Sequence, residues 1–387
     1  MPLNILADQD IPYVHEAFRH IGTVHKVAAR DITRAAVKGA DILLVRSVTS
    51  VDHRLVEGSQ IQFAGSATIG TDHVDHTALA ALGIAFAHAR GAGAESVAEY
   101  VTAAILVIAT RAGLALKATT LGIVGCGDIG SRVFRRAQAL GMRVLQNDPP
   151  LAEASKGPCS YVPLYALLRE SDIVTLHVPL SRTGAHATHH LFGSRALEQM
   201  KTGAWLINTA RGPVVSGQAL HAALVCGSLG GAVLDVWEHE PTPSQSLLHK
   251  VSLATPHIAG HSYDGKLLGT ILLYRAVARH FGVTPSWDYA ALQQPPAPLS
   301  LAPSTGTRHA AAWLDALTRT MYDLRADDAR MRTLLDVPPE ALGACFGLLR
   351  TGYPRRRAFR HHQIAAGAVP PALHEAVRHG LGVQLYP

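Results

Sequence analysis

The chain has 387 residues, 48% hydrophobic and 17% charged, with a formal net charge of +6. That length predicts two or three domains, and that apolar content excludes a disordered chain. The positive balance reads as a solvated surface, because the basic groups are scattered apart from Arg355-Arg356-Arg357 with Arg360, His361 and His362, and no aromatic residues alternate with that cluster as stacking platforms for nucleic acid.

The four cysteines, Cys126, Cys159, Cys226 and Cys345, lie far apart without a CxxC pair and read as thiols of a reducing cytoplasm. The first residues lack the basic and apolar regions of a signal peptide, and the longest apolar run, Val101–Ala109, is too short to span a bilayer. A soluble, cytoplasmic protein with no membrane or nucleic-acid partner is expected. Among the 22 histidines, His186, His189 and His190 come nearest to ligand spacing, but no HExxH or Cys/His pattern accompanies them, so no metal is expected.

In chain order, Asn4–Ala7, Ile42–Val45, Ile61–Ala64 and Ile84–Ala87 read as strands at the spacing of βα units. After the small-residue turn Gly91–Ala94, a helix is expected over Glu95–Thr110, with Ser96 and Glu99 as a capping box. A second alternating region runs from Thr120 to Pro256, with strands at Leu121–Val124, Arg143–Gln146, Ile173–Leu176, Ala204–Ile207, Gly231–Leu234 and Val251–Ala254. Helical patterns between most of them imply a parallel sheet covered on both faces. Gly265–Phe281 reads as a helix, and the Pro-rich stretch Gln293–Pro303 as a linker. Beyond it, a separate unit with a helix over Ala310–Leu324 and a strand-like terminus carries no catalytic motif, which suits association or regulation.

Gly125-Cys-Gly127-Asp-Ile-Gly130 follows a strand and opens a helix, the context in which GxGxxG is informative. Its glycines permit a tight turn and close approach to a pyrophosphate, which the helix N-terminus attracts. Asp148, about 20 residues on at the end of the next strand, is placed to bond a ribose 2′-hydroxyl and to repel a 2′-phosphate, favouring NAD over NADP.

Three further segments each set one ionisable residue just past an apolar run: Asn208-Thr-Ala-Arg211-Gly, Leu234-Asp-Val-Trp-Glu-His-Glu240-Pro and Pro256-His257-Ile-Ala-Gly260. His257 suits a general acid/base, Glu240 a partner that orients its ring, and Arg211 a bidentate grip on a carboxylate. Each alone has an ordinary structural explanation. Three in order, downstream of a dinucleotide loop, point to oxidation of a hydroxy acid.

With GCGDIG, LHVPL at 176–180, NTARG, LDVWEHEP and PHIAG, residues 1–285 resemble the D-isomer-specific 2-hydroxyacid dehydrogenases. The resemblance implies an α/β fold of two Rossmann-like or flavodoxin-like doubly wound lobes plus a C-terminal α+β dimerisation domain. It divides the chain into a substrate-binding domain (1–92 and 258–290), an NAD-binding domain (93–257) and a dimerisation domain (291–387). Arg211, Glu240 and His257 become the catalytic set. Gly125, Gly127, Asp128, Ile129, Gly130, Asp148, Val178, Thr209, Ala210, Arg211, Asp235 and Gly260 become the lining of the NAD site. Val45-Arg-Ser47-Val-Thr, Gly65-Ser-Ala-Thr68 through Asp75, and His257 through Lys266 resemble most the branch that oxidises a phosphorylated four-carbon hydroxy acid in vitamin B6 biosynthesis. On that reading Ser47, Thr68 and His261 contact substrate, and the protein is a homodimer through its C-terminal domain. The chain departs from the family at Val178, where a threonine is usual, at His261, where a tyrosine is expected, and at Gly91–Ala94, which replaces a more polar loop. Two other readings compete: another phosphorylated 2-hydroxyacid dehydrogenase, of 3-phosphoglycerate or hydroxypyruvate type, and an NAD(H)-sensing binding protein resembling a corepressor.

Overall fold

In the computed structural model, residues 2–154, 161–292, 295–300 and 309–387 are described. Cys159 and parts of the expected linker (Gln293, Gln294 and residues 301–303) lie outside them. The chain forms two compact units, one made of Met1–Ala94 with His261–Pro295, the other of Glu95–Gly260 with Pro296–Pro387.

The first unit holds a parallel sheet of β1 (Leu3–Asp8), β2 (Gly22–Val27), β3 (Ile42–Val45), β4 (Phe63–Ser66) and β5 (Ala85–His88), in the order β2-β1-β3-β4-β5. This is the doubly wound order of flavodoxin-like sheets. The apolar run Ile42–Val45 is buried at every position, as a central strand covered on both faces requires. Sequence reading missed β2, because an edge strand with alternating exposure needs no apolar run, and Gly22-Thr-Val-His-Lys-Val has none. The helix Tyr263–His280 returns to this unit and packs Leu273, Tyr274 and Val277 against Ile5, Phe18 and Ile42.

The second unit's sheet comprises β6 (Thr120–Val124), β7 (Arg143–Asn147), β8 (Ile173–Leu176), β9 (Ala204–Asn208), β10 (Leu229–Leu234) and β11 (Leu253–Ala254). All its pairings are parallel, in the order β11-β10-β9-β8-β6-β7. The helix Ala94–Ala112 is buried along most of its length, which explains why its sequence is apolar on every face. It starts earlier than expected, so Ser96 and Glu99 are not a capping box. Glu99 is buried, and its Oε1 accepts the backbone N–H of Phe359, 2.8 Å away.

The C-terminal segment contains the helices Ala310–Met321, Leu324–Arg332 and Pro339–Thr351 and a small parallel sheet of β12 (Ala297–Pro298), β13 (His362–Ala365) and β14 (Gln384–Tyr386). The expected helix over Ala310–Leu324 divides at Asp323, whose side chain caps the following helix. The segment does not stand apart from the second sheet. Trp313, Leu314, Leu317, Phe359 and Val377 share one core cluster with Val101, Ile105, Ile108 and Leu121. Polar contacts join the same surfaces: Arg136 donates to the carbonyls of Gly380 (2.8 Å) and Leu381 (2.9 Å), and Gln245 Nε2 to those of Leu334 and Val337, each at 2.8 Å. Short helices cannot bury an apolar stripe alone, and here the second sheet unit supplies the other half of the core. Among the described residues no helix is long and apolar enough to cross a membrane, and no group of three or more His, Cys, Asp or Glu is placed to hold a metal ion.

Candidate active site

In the second unit the expected site residues sit just beyond the carboxyl ends of the parallel strands, the edge at which open α/β sheets bind ligands. Residues 125–130 follow β6, Asp148 follows β7, Val178 follows β8, residues 209–211 follow β9, and Asp235 follows β10.

The glycine loop is shaped by two steric necessities and one opening. Gly125 has φ +91°, and a Cβ there would come within 2.7 Å of the His177 backbone. A Cβ on Gly130 would lie 2.0 Å from the Gly125 carbonyl oxygen. Gly127 differs: a Cβ on it would meet nothing within 4 Å. Protein packing leaves that position open, as close approach of a pyrophosphate would require. The helix Gly130–Ala139 begins at this loop, so its dipole favours an anion there. The loop, the helix start and the opening at Gly127 fit a dinucleotide.

Asp148 is part of the loop's own framework. Its Oδ2 accepts the Cys126 N–H (2.7 Å) and its Oδ1 the Leu151 N–H (3.1 Å). A carboxylate accepts about four hydrogen bonds, so capacity for a ribose hydroxyl remains. His177, inside the quoted LHVPL motif but not singled out from sequence, lies between Thr175 Oγ1 (3.1 Å from Nε2) and Thr209 Oγ1 (3.3 Å from Nδ1). Burial pushes its pKa down to about 3, so the ring is neutral. The Asp128 carbonyl accepts from Ser131 and Arg132, which ties Asp128 and Ile129 to the first turn of the helix.

The loop carrying Arg211 is built by Asn208, which is buried at the end of β9. Asn208 Oδ1 accepts the Ala210 N–H and its Nδ2 donates to the Arg211 carbonyl, both at 3.0 Å. Gly212 then packs against the loop of Glu240: a Cβ on it would lie 1.9 Å from the Trp237 carbonyl oxygen. Only glycine lets the two loops approach so closely.

Glu240 and His257 are joined directly, with Oε2 2.7 Å from Nδ1. Glu240 Oε1 accepts the Trp237 N–H at 2.8 Å, so both carboxylate oxygens are held. Burial pushes the Glu240 carboxyl up, but His257, the Trp237 N–H and Arg350 outweigh it and hold the group below its ordinary range, as a carboxylate. With Nδ1 turned to Glu240, Nε2 is the ring nitrogen not engaged by that carboxylate. The other glutamate of the same motif, Glu238, turns elsewhere and accepts from His190 Nε2 (2.5 Å) and the Gly217 N–H (2.8 Å).

His257 has φ +58°, a left-handed conformation that a non-glycine residue keeps only where its surroundings impose it. Asp235 imposes it. The Asp235 carbonyl accepts the His257 N–H (2.7 Å), and its carboxylate accepts the N–H groups of Ile258 (2.7 Å) and Ala259 (2.9 Å) and the Thr255 hydroxyl (2.6 Å). Family resemblance had pointed to Asp235 as cofactor lining. In the fold it is 1% exposed and holds the turn that presents His257, with Gly260 just beyond.

Ser47, Thr68 and His261 belong to the first unit. Ser47 is exposed just after β3. Thr68 Oγ1 donates to the Gly70 carbonyl (3.2 Å) and bonds Ser66 Oγ (2.8 Å), which in turn meets His73 Nε2 at 3.0 Å. His261 precedes Ser262, the N-cap of the helix Tyr263–His280. Sequence reading passed over Arg46, although it lies in the quoted VRSVT segment. Its Nε bonds Asp8 (3.0 Å) and its Nη2 bonds Asp10 (2.5 Å), closing the end of the first sheet between β1 and β3.

Comparison with known proteins agrees with this geometry. Residues 82–259 match the model of the D-isomer specific 2-hydroxyacid dehydrogenase NAD binding domain. The chain is 48% identical to erythronate-4-phosphate dehydrogenase of Salinibacter ruber, with 99% of both chains covered. It is 42% identical to the protein of the same name from Azotobacter vinelandii, over 97% of this chain and 98% of the other. Among solved structures, D-lactate dehydrogenase from Aquifex aeolicus, in complex with NAD and lactic acid, superposes with a TM-score of 0.61 at 27% identity, covering 72% of this chain and 96% of that one. The chain therefore belongs to the D-isomer-specific 2-hydroxyacid dehydrogenase family, in the group of relatives called erythronate-4-phosphate dehydrogenase, and carries that family's NAD-binding domain.

Proposed function

We propose that the protein oxidises 4-phospho-D-erythronate to (R)-3-hydroxy-2-oxo-4-phosphooxybutanoate in vitamin B6 biosynthesis. The His257–Glu240 pair, set at the strand ends of an NAD-binding unit, carries the reaction class, and the relatives aligned over nearly the full chain carry the substrate. Bound at the Gly125–Gly130 loop, NAD would supply the acceptor for the hydride that leaves C2 of the acid. His257 Nε2 takes the proton of the C2 hydroxyl, and Glu240 stabilises the imidazolium that forms. Arg211 holds the substrate carboxylate and the oxygen that becomes the carbonyl. Asp148 selects NAD by repelling a 2′-phosphate. Ser47, Thr68 and His261 contact the substrate.

The test is NADH formation by purified protein offered 4-phospho-D-erythronate. Loss of His257 (H257A) or Arg211 (R211A) should lower kcat/KM by about a thousandfold or more. Turnover of 3-phosphoglycerate alone would overturn the substrate assignment, and NAD binding without turnover of any hydroxy acid would favour a sensing protein.

The same reading makes the protein a cytoplasmic homodimer associating through its C-terminal segment. Two described cysteines, Cys226 and Cys345, are free thiols, which suits a reducing compartment. Leu348, 69% exposed on the helix Pro339–Thr351, supplies an apolar contact suited to association. Light scattering of the full chain should give twice the chain mass, and Leu348→Glu should shift the species toward monomer. A monomeric wild type would refute the assignment.

A further inference from the structure

We propose that Arg356 is a positioning residue for His257, acting through the Ala259 carbonyl; the inference rests on the proton-transfer role assigned to His257 above. Arg356 lies in the basic cluster for which the sequence offered no role. Its neighbours Arg355 and Arg360 are exposed, as a solvated cluster would be. Arg356 is buried, with its guanidinium 4.4 Å from the centre of the Tyr322 ring. Taking a guanidinium out of water is costly, and solubility does not require it.

The buried group joins two pieces of backbone. Nη2 donates to the Ala259 carbonyl at 2.5 Å and to the Ser96 carbonyl at 3.2 Å. Ser96 is the second residue of this unit's first segment, Glu95–Gly260, and Ala259 its last but one. The guanidinium thus ties the first turn of the helix Ala94–Ala112 to the turn that presents His257. Phe359, three residues on, anchors the same strand of chain to Glu99.

Asp235 and Arg356 hold the His257 turn from opposite sides. Asp235 takes the N–H groups of His257, Ile258 and Ala259, while Arg356 takes the Ala259 carbonyl. With these three N–H groups and the carbonyl held, the turn keeps His257 in its left-handed conformation. Without Arg356 the Ala259 peptide is free to rotate, the turn relaxes, and the 2.7 Å contact between His257 and Glu240 loosens. A small displacement of an acid/base costs far more in rate than in binding.

Arg356→Met, Arg356→Lys and the control Arg355→Met in the full chain test this. At saturating NAD, Arg356→Met should lower kcat roughly 10- to 30-fold with KM for 4-phospho-D-erythronate within about twofold. Arg356→Lys keeps a donor and should recover to within about threefold of wild type, and Arg355→Met should match wild type. A readout without substrate accompanies these rates: the downfield proton resonance of His257 Nδ1–H, identified by its absence in His257→Gln. It should be present in wild type, Arg355→Met and Arg356→Lys, broadened in the last, and lost in Arg356→Met. A folded Arg356→Met with wild-type kcat and an intact resonance overturns the proposal, as does lowered thermal stability with kcat and resonance unchanged. If Arg356→Met does not fold, Arg356→Lys decides, and wild-type kcat with an unbroadened resonance overturns. If wild type itself turns over no substrate, the proposed reaction falls, while the resonance still tests the positioning.

Discussion

The two parallel sheets share an order and differ in what closes their switch points. β1 and β3 of the first correspond in topology to β6 and β8 of the second. In the first, the turn after β1 has no glycine: Asp8, the last residue of β1, and Asp10 in the turn bond Arg46, the residue just after β3. In the second, the turn after β6 is Gly125–Gly130, and the residue just after β8 is the neutral, half-buried His177. One switch point carries Arg46 paired with Asp8 and Asp10, and the other carries a glycine turn and a helix start. Topology makes the crevice, but the residues after β1 and β6 decide whether an anion can use it.

The sharpest test of this contrast is Gly130→Ala. Its new methyl would collide with the Gly125 carbonyl, so titration calorimetry should show NAD affinity lowered by at least about a hundredfold. Unchanged affinity would mean that the loop does not bind the dinucleotide. Asp8→Ala should act on the other switch point alone: removing one partner of this part-buried pair costs about 3 kcal/mol in denaturant unfolding and leaves NAD affinity unaltered. Gly127→Ala should leave the melting temperature where it is, because the methyl meets no protein atom, and weaken NAD roughly tenfold. Lost stability with normal binding would show that Gly127 serves packing.

The smallest effect concerns pH and the second unit. Burial pushes the Glu99 carboxyl up to about 7, against the pull of Arg136, Arg356 and the Phe359 N–H, from an ordinary 4.5. Between those values the folded state holds a proton that the unfolded state has lost. The contribution is therefore full below about 4.5 and disappears as pH rises through about 7. Glu99→Gln keeps an acceptor for Phe359 and does not ionise. Its melting temperature relative to wild type should rise between pH 5 and pH 8, and a constant difference would refute the assignment.

Much of the fold was legible because its central strands are short apolar runs separated by helical patterns, and burial on both faces demands such runs. Ile42–Val45 and Ile173–Leu176 coincide with their observed strands for this reason. β2 was not legible, since an edge strand makes no such demand. Ser96 and Glu99 have the spacing of a capping box, yet the helix had already begun, and Glu99 was needed by a backbone N–H 260 residues away. Of the candidate site, the glycine loop and the trio Arg211, Glu240 and His257 were recognisable from local context. The two glutamates of Glu238-His-Glu240 are locally alike, and only the fold turns one to His190 and the other to His257.

By itself, then, the sequence determined the strand and helix alternation, the glycine loop and the candidate residues Arg211, Glu240 and His257, because these depend on periodicity and on neighbours a few positions apart. Tertiary structure alone decided that Asp235 serves the His257 turn, that Arg356 leaves the basic cluster for the interior, and that the C-terminal segment completes the second unit's core. Each of those roles is a contact between residues distant in the chain. Local patterning cannot encode which distant partner a buried polar group will find, and a buried polar group must find one.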